Sequence, residues 1–208
     1  MDPQKKSLSA TEQDAARRQR WWAEAERLDP TRLVFLDECG THLAHTRAYA
    51  RAPRGERAVG RVPRNRGAVT TVLASLTPDG VGPTRTVVGG TTKDVFLAYL
   101  DEDLGPRLEP GQVVVLDNLG AHRVAAVRDA VEARGATLLY LPAYSPDFNP
   151  IELVFGTLKT ALRRAGARTR EELTAAIRAA LAAITPEQAR ACFGHCGYHL
   201  PDQPFRQP

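Results

Sequence analysis

Two stretches of this chain read alike. Leu33-Val34-Phe35-Leu36 runs straight into Asp37-Glu38, and Val113-Val114-Val115-Leu116 runs straight into Asp117-Asn118. A short continuous apolar run is the mark of a strand buried on both faces, as in sheets covered by helices on either side. A carboxylate is costly to bury without a partner. An acid closing each run therefore belongs at the edge of the sheet, where open α/β folds place their sites. If the two strands are parallel neighbours, both carboxylates converge at one end.

The rest of the chain fits around such a sheet. Residues 10–28 read as a polar helix with Trp21, Trp22 and Leu28 as its anchors, stopped by Asp29-Pro30. Ala68 to Leu76 is a β-branched strand, Thr84 to Val88 another, and Leu138 to Leu141 a third buried one. Helices are expected over Thr92–Leu104, over 122–134 (closed by Gly135), from Pro150 to about Ala165, and over about 170–184. The order gives an α/β fold with one mixed sheet flanked by helices. With 43% hydrophobic and 25% charged residues in 208, a single sizeable core is within reach. No run approaches the roughly 18 apolar residues of a membrane span. Met1 to Ser9 holds Lys5 and Lys6 with no apolar stretch behind them, unlike a secretory leader. The three cysteines, 39, 192 and 196, are too few and too odd in number for a disulfide framework, so a reducing cytoplasm is expected.

The net charge of +4 says little; its distribution says more. Between positions 47 and 66 stand Arg47, Arg51, Arg54, Arg57, Arg61, Arg64 and Arg66 against one acid, Glu56, which leaves −2 on the rest of the chain. Pro53-Arg54-Gly55 reads there as a turn between two strands. Lys159, Arg163, Arg164, Arg168 and Arg170 form a second group with no acid between 159 and 170. Arginine-rich local basicity suits phosphate contacts, although a solvated surface would look the same.

A third acid, Glu152, opens the helix that follows the third buried strand. Asn149 fits the N-cap of that helix, Pro150 its first position and Glu152 its third. Glu152 could therefore serve only a capping box, its side chain bonding back to the Asn149 backbone. The preceding strand and loop would nevertheless return it to the edge where Asp117 lies. Three carboxylates without a thiol or imidazole cluster make a hard oxygen site, suited to Mg²⁺ or Mn²⁺. Two such ions about 3.5–4 Å apart can clamp the attacking and leaving oxygens of a phosphodiester. Neighbouring side chains on a strand point to opposite faces, so Asp37 is taken as the ligand and Glu38 as its supporting neighbour.

Asp117-Asn118 with His122, followed by LPAYSPDFNPIELVFGTLK from Leu141 to Lys159, resembles the catalytic domain of mariner-related bacterial insertion-sequence transposases. These are the "six-thirty" class of the DDE superfamily, with an RNase H-like fold. The family signature is two aspartates and a glutamate, with 34 residues between the last two; 34 residues separate Asp117 from Glu152. The resemblance covers roughly residues 30–195. It implies an RNase H-like mixed five-stranded sheet flanked by helices. It also implies that Asp37, Asp117 and Glu152 are the catalytic, metal-holding residues; beside them, Asn118 and Glu38 are read as supporting neighbours and His122 as a supporting neighbour or a DNA-phosphate contact. The expected reaction is cleavage at transposon ends and joining to target DNA, with two Mg²⁺ or Mn²⁺ ions. A homodimer would bridge two ends, at the bacterial nucleoid in the cytoplasm. The layout expected is an N-terminal helical or linker segment (1–30), the catalytic domain (31–195) and a C-terminal tail (196–208). About 30 residues before the first strand are too few for the helix-turn-helix region of full-length relatives. That suggests the downstream half of a frameshifted transposase, with an upstream helix-turn-helix half as partner, or a truncated relic. Another RNase H-like nuclease, or a non-catalytic DNA-binding regulator, are the alternatives.

Other residues attract weaker readings. Tyr144, Ser145 and Asp147 lie in the loop before Glu152, with Asp147 read as a turn residue. Cys192, His195, Cys196 and His199 are spaced for one helical face and could suggest zinc, but Gly194 and Gly197 would interrupt a helix there. The sequence has no G-x-S-x-G element and no G-x-x-x-x-G-K-[ST] loop, which argues against a serine hydrolase and a P-loop NTPase.

Overall fold

A computed structural model describes residues 10–118 and 125–201. Five strands form one sheet: β1 (Leu33–Thr41), β2 (Thr70–Thr77), β3 (Gly80–Val88), β4 (Val113–Leu116) and β5 (Thr137–Tyr140). Their order is β3-β2-β1-β4-β5. The hairpin β2–β3 and the pair β1–β2 are antiparallel, whereas β1–β4 and β4–β5 are parallel. The helices are α1 (Ala15–Ala25), α2 (Lys93–Ala98), α3 (Ala125–Glu132), α4 (Pro150–Ala165), α5 (Arg170–Ala182) and α6 (Pro186–His195).

The continuous apolar runs divide by parity between two cores. Leu33 and Phe35 of β1 and Val113 and Val115 of β4 face a cluster built with α1, α4, α5 and α6, including Trp21, Ile151, Phe155, Leu173, Ile177, Phe193 and Tyr198. Val34, Leu36, Val114 and Leu116 face the other cluster, with Phe96, Tyr99, Leu100, Val127 and Val131. A sheet covered on both sides leaves no solvated face, so its strands lose the apolar–polar alternation of a half-exposed sheet. Helix α4 buries its expected stripe of Ile151, Phe155, Leu158 and Leu162, and Gly166 closes it in the left-handed region at φ 61°.

Several boundaries differ from the sequence reading. β1 does not stop at Asp37 but continues to Thr41, because β2 pairs with it beyond the end of β4, Asp37 lying opposite Ala74. The helix expected over Thr92–Leu104 is α-helical only to Ala98 and then widens into a π-turn over Tyr99–Leu104. This wider turn buries Tyr99, Leu100 and Leu104 together, with the Tyr99 hydroxyl donating to the Pro83 carbonyl at 2.7 Å. The two strands expected around Pro53-Arg54-Gly55 are not formed: residues 42–69 hold no helix or strand, and positions 46–69 are exposed throughout. Their arginines offer no alternating apolar face, and Tyr49 and Val59 stand in solvent. Helix α6 runs through Gly194, and the chain turns only at Gly197, at φ 91°. Among the described residues, no helix is long and apolar enough to cross a membrane.

Candidate active site

The parallel pair β1–β4 sets the geometry. Leu33 lies opposite Val113, and the register runs on to Leu36 opposite Leu116. Asp37 continues β1 one step past this pairing and Asp117 is the first residue after β4, so both lie where the parallel pair ends. Parity assigns Asp37 to the face of Leu33 and Phe35, which is the face covered by α4. The first turn of α4 carries Glu152 on that same side of the sheet. Asp37 is buried, with 6% of its surface exposed; Asp117 is half-buried and Glu152 exposed.

The Asp37 carboxyl is pushed up to about 7. Burial is the main cause, opposed by the hydrogen bond from the Glu38 N–H to Oδ1 at 2.7 Å, and reinforced by the negative charges of Asp117, Glu152 and Glu38. Asp117 and Glu152 therefore lie within electrostatic reach of Asp37. As they stand, no three His, Cys, Asp or Glu side chains among the described residues are gathered closely enough to grip an ion. The donor set fits a divalent cation such as Mg²⁺ or Mn²⁺: hard oxygens only, with excess negative charge on a buried carboxyl.

The capping box that Glu152 could have served at the start of α4 is absent. The Asn149 side chain makes no cap; its Nδ2 instead donates to Asp37 Oδ2 at 2.8 Å. Glu152 is thereby left facing solvent without a structural task in the helix start. The loop that delivers Asn149 and Glu152 is fastened from elsewhere. Arg18 forks onto Asp147 with bonds of 3.0 and 2.6 Å and lies 3.8 Å over the Phe148 ring. Trp22 packs edge-on against Phe148 at 4.9 Å. The Tyr198 hydroxyl donates to the Phe148 carbonyl at 2.8 Å and accepts from Trp21 Nε1 at 3.3 Å. Gln13 Nε2 donates to the Tyr144 carbonyl at 2.9 Å; Tyr144 holds φ 57°. The tryptophans are thus anchors, and Asp147 is an ion-pair partner of α1.

Glu38 points to the opposite side of β1, half-buried, with Oε2 lacking a hydrogen bond. Asn118 is half-buried beside Asp117. His122 lies outside the described residues. Arg47, Arg51, Arg54, Arg57, Arg61, Arg64 and Arg66 are all exposed along the arm between β1 and β2. Lys159, two turns after Glu152, is half-buried beside Cys39; burial pushes that thiol up and the Lys159 charge opposes the push. Arg163 lies one turn further along. His45 is pushed down to about 4, chiefly by burial, then by His42, Arg163 and Lys159. Its ring stacks on His42 at 4.2 Å, and Arg168 secures the turn by donating to the carbonyls of Leu43 and His45. Arg164 sits apart on an open groove with Leu153, Gly156 and Thr157. No zinc site forms at the last helix: Cys196 is buried, Cys192 half-buried, and His195 and His199 are exposed. Sequence reasoning missed Asn149 as more than a cap, missed His45, and took Arg168 only as part of a basic group rather than as the fastener of the Leu43–His45 turn. The site signal for Asn149 was its place in the loop that delivers Glu152.

A mixed sheet of this order with helices on both faces defines an RNase H-like α/β domain. Residues 32–174 match the family described as DDE superfamily endonuclease, and the chain belongs to that family. No curated protein sequence matches it. Among solved structures, the Mos1 transposase paired-end complex with left transposon end superposes with a TM-score of 0.71 at 21% identity, over 96% of this chain and 68% of that one. The Mos1 strand transfer complex gives a TM-score of 0.70 at 20% identity, over 94% of this chain and 63% of that one. The catalytic domain of Mos1 mariner transposase gives 0.61 at 17% identity, over 93% and 98%. The chain thus spans about two thirds of the longer Mos1 chains and nearly all of the catalytic domain.

Proposed function

We propose that this chain is the catalytic part of a transposase of the mariner-related bacterial insertion-sequence class, which cuts transposon-end DNA and joins it to target DNA. Asp37, Asp117 and Glu152 are its catalytic carboxylates and hold two divalent ions, Mg²⁺ or Mn²⁺. The observation that carries this reading is geometric: the parallel β1–β4 pairing ends just before Asp37 and Asp117, and Asn149, at the start of the helix that carries Glu152, donates to Asp37 Oδ2. Three acids from separate elements, 80 and 35 positions apart in sequence, suit a cation shared among them at this end of the sheet. The likeness to Mos1 structures described as complexes with Mg or with Mn supports the same choice of ions.

When bound, such ions lower the pKa of the attacking oxygen's proton and stabilise the departing 3′-oxygen. The residues of this chain supply the setting. Glu38 N–H and Asn149 hold the two oxygens of Asp37. The braced loop fixes the first turn of α4, and with it Glu152. Lys159 and Arg163 place positive charge along α4 beside the acids, where a DNA phosphate next to the cleaved one needs it. The seven arginines of the arm and Arg164 track further phosphates, and Asn118, Glu38 and His122 support the acids. Residues 31–195 form the catalytic unit, with α1 and the stretch up to Leu200 completing its core. The active assembly is a homodimer holding two transposon ends at the nucleoid, with an upstream helix-turn-helix half supplying end recognition.

The test is cleavage and joining with a pre-cut element end in Mg²⁺. The parent chain nicks and joins; Asp117→Ala does neither while keeping its thermal midpoint. An Asp117→Ala protein that cuts as fast as the parent overturns the assignment. Hydrolysis without any joining points instead to a plain nuclease.

A further inference from the structure

We infer that Asn149 is a positioning residue for Asp37 and that it tunes, through that carboxylate, the cation affinity of the site. The inference rests on Asp37 being a cation ligand. Asn149 occupies the N-cap of α4, a place where asparagine is favoured because its side-chain oxygen can accept from the first free backbone N–H groups. It makes no such bond. Its amide nitrogen is spent on Asp37 Oδ2 at 2.8 Å, across 112 positions of sequence. Its own Oδ1 is buried and without a hydrogen-bond partner. The residue is 3% exposed. A helix start left uncapped and a carbonyl left unbonded are two local losses. The one bond that accompanies them goes to the acid at the centre of the site.

The chemistry of that bond suits a cation ligand. A carboxylate has about four lone-pair directions on its two oxygens. Glu38 N–H takes one on Oδ1 and Asn149 takes one on Oδ2, so each oxygen keeps a free direction for an ion. With both oxygens tethered, the otherwise broad rotation of the carboxylate plane is fixed. A neutral amide can do this without supplying the positive charge that would compete with the ion; lysine or arginine could not. Asn149 also stands three residues before Glu152, with the Glu152 N–H donating to the Asn149 carbonyl at 3.1 Å. The same residue therefore ties β1 to the turn that carries the third acid.

The experiment reads Mn²⁺ binding to the DNA-free full-length chain by electron paramagnetic resonance, alongside thermal midpoints in EDTA. The proteins are the parent, Asn149→Ala, Asn149→Ser, Asp37→Ala and the Asp37→Ala, Asn149→Ala double variant. Losing a group that orients a metal ligand characteristically weakens affinity about 10–100-fold. Asn149→Ala is expected to show that loss. Asn149→Ser, which can cap the helix but is too short to reach Asp37, keeps the midpoint and still binds weakly. In the Asp37→Ala background, Asn149→Ala has no further effect. Should either Asn149 variant bind within twofold of the parent while Asp37→Ala binds poorly, the role given to Asn149 is wrong. If Asp37→Ala itself binds like the parent, the fault lies in taking Asp37 as a ligand. Should Asn149→Ala fail to fold, Asn149→Ser decides the matter alone.

Discussion

Asp37→Asn should stabilise the metal-free protein while abolishing its activity, and it should do so only above acidic pH. The Asp37 carboxyl is raised from 3.8 to about 7 by burial and by neighbouring acids. A raised carboxyl binds its proton more tightly in the folded state than in the unfolded one. Its contribution is therefore fully favourable below about pH 3.8 and is lost as pH rises through about 7. At pH 8 the folded chain bears the whole cost of an ionised buried acid, about three pKa units at about 1.4 kcal/mol each, or roughly 4 kcal/mol. A carboxamide removes that charge at no loss of hydrogen bonding. Its oxygen can accept from Glu38 N–H, and its NH₂ can donate to the orphaned Oδ1 of Asn149 once the Asn149 amide turns over. For a chain of this size about 1 kcal/mol moves the midpoint by roughly 2–4 °C. In EDTA at pH 8 the variant should melt about 8–15 °C above the parent. At about pH 3, where the carboxyl is protonated in the folded and in most of the unfolded chains alike, the two should melt within a degree or two of one another. A variant no more stable than the parent at pH 8, or equally more stable at both values, would refute the view of Asp37 as a strained buried charge.

Other perturbations separate the parts of the site. Replacing Arg54, Arg57 and Arg61 together by Gln should leave the midpoint unchanged, since all three are exposed. It should flatten the salt dependence of DNA binding by about 0.9 in log–log slope for each phosphate no longer neutralised, and an unchanged slope would exclude the arm from the DNA path. Gly197→Ala places a Cβ 2.7 Å from the Trp22 ring at φ 91°, so denaturant titration should show a destabilisation of about 2–4 kcal/mol. Arg18→Gln releases Asp147, whose carboxyl the Arg18 guanidinium holds below its usual range. The cost should be about 1 kcal/mol at pH 7. A lowered carboxyl contributes above its ordinary range and loses that contribution as pH falls, so variant and parent should converge once the pH lies well below the ordinary carboxylate range; a deficit that persists in acid would make the stacking of Arg18 on Phe148 the larger effect.

Much of the framework is legible because it is written in continuous apolar runs. LVFL and VVVL announce strands covered on both sides, and an acid directly after each run has few places to go but the sheet edge. The parity of Leu33, Phe35 and Asp37 even assigns the side, as it does for Val113, Val115 and Asp117. What cannot be read is anything decided by partners distant in sequence. β1 runs past Asp37 because β2, more than thirty positions on, pairs with it. Asn149 reads as a cap because propensity sees only the helix it begins, whereas its hydrogen bond goes to a strand 112 positions earlier. The arm from Arg47 to Arg66 resembles a hairpin only while its Pro-Arg-Gly turn is weighed without the absence of any face to bury. Gly194 looks like a helix breaker, yet a glycine inside a helix costs only about 1 kcal/mol, which the packing of Phe193 against Phe35 outweighs.

The brace on the glutamate loop limits how far this enzyme can be cut down. The fastening comes from Gln13, Arg18, Trp21 and Trp22 at one extremity and Tyr198 at the other, all lying outside the 32–174 span that marks the family. A fragment trimmed to that span would keep every acid and lose the scaffolding that aims one of them. The folded unit is therefore wider than its family span, and the two flanks, though far from the acids in sequence, are packed into the loop that precedes Glu152.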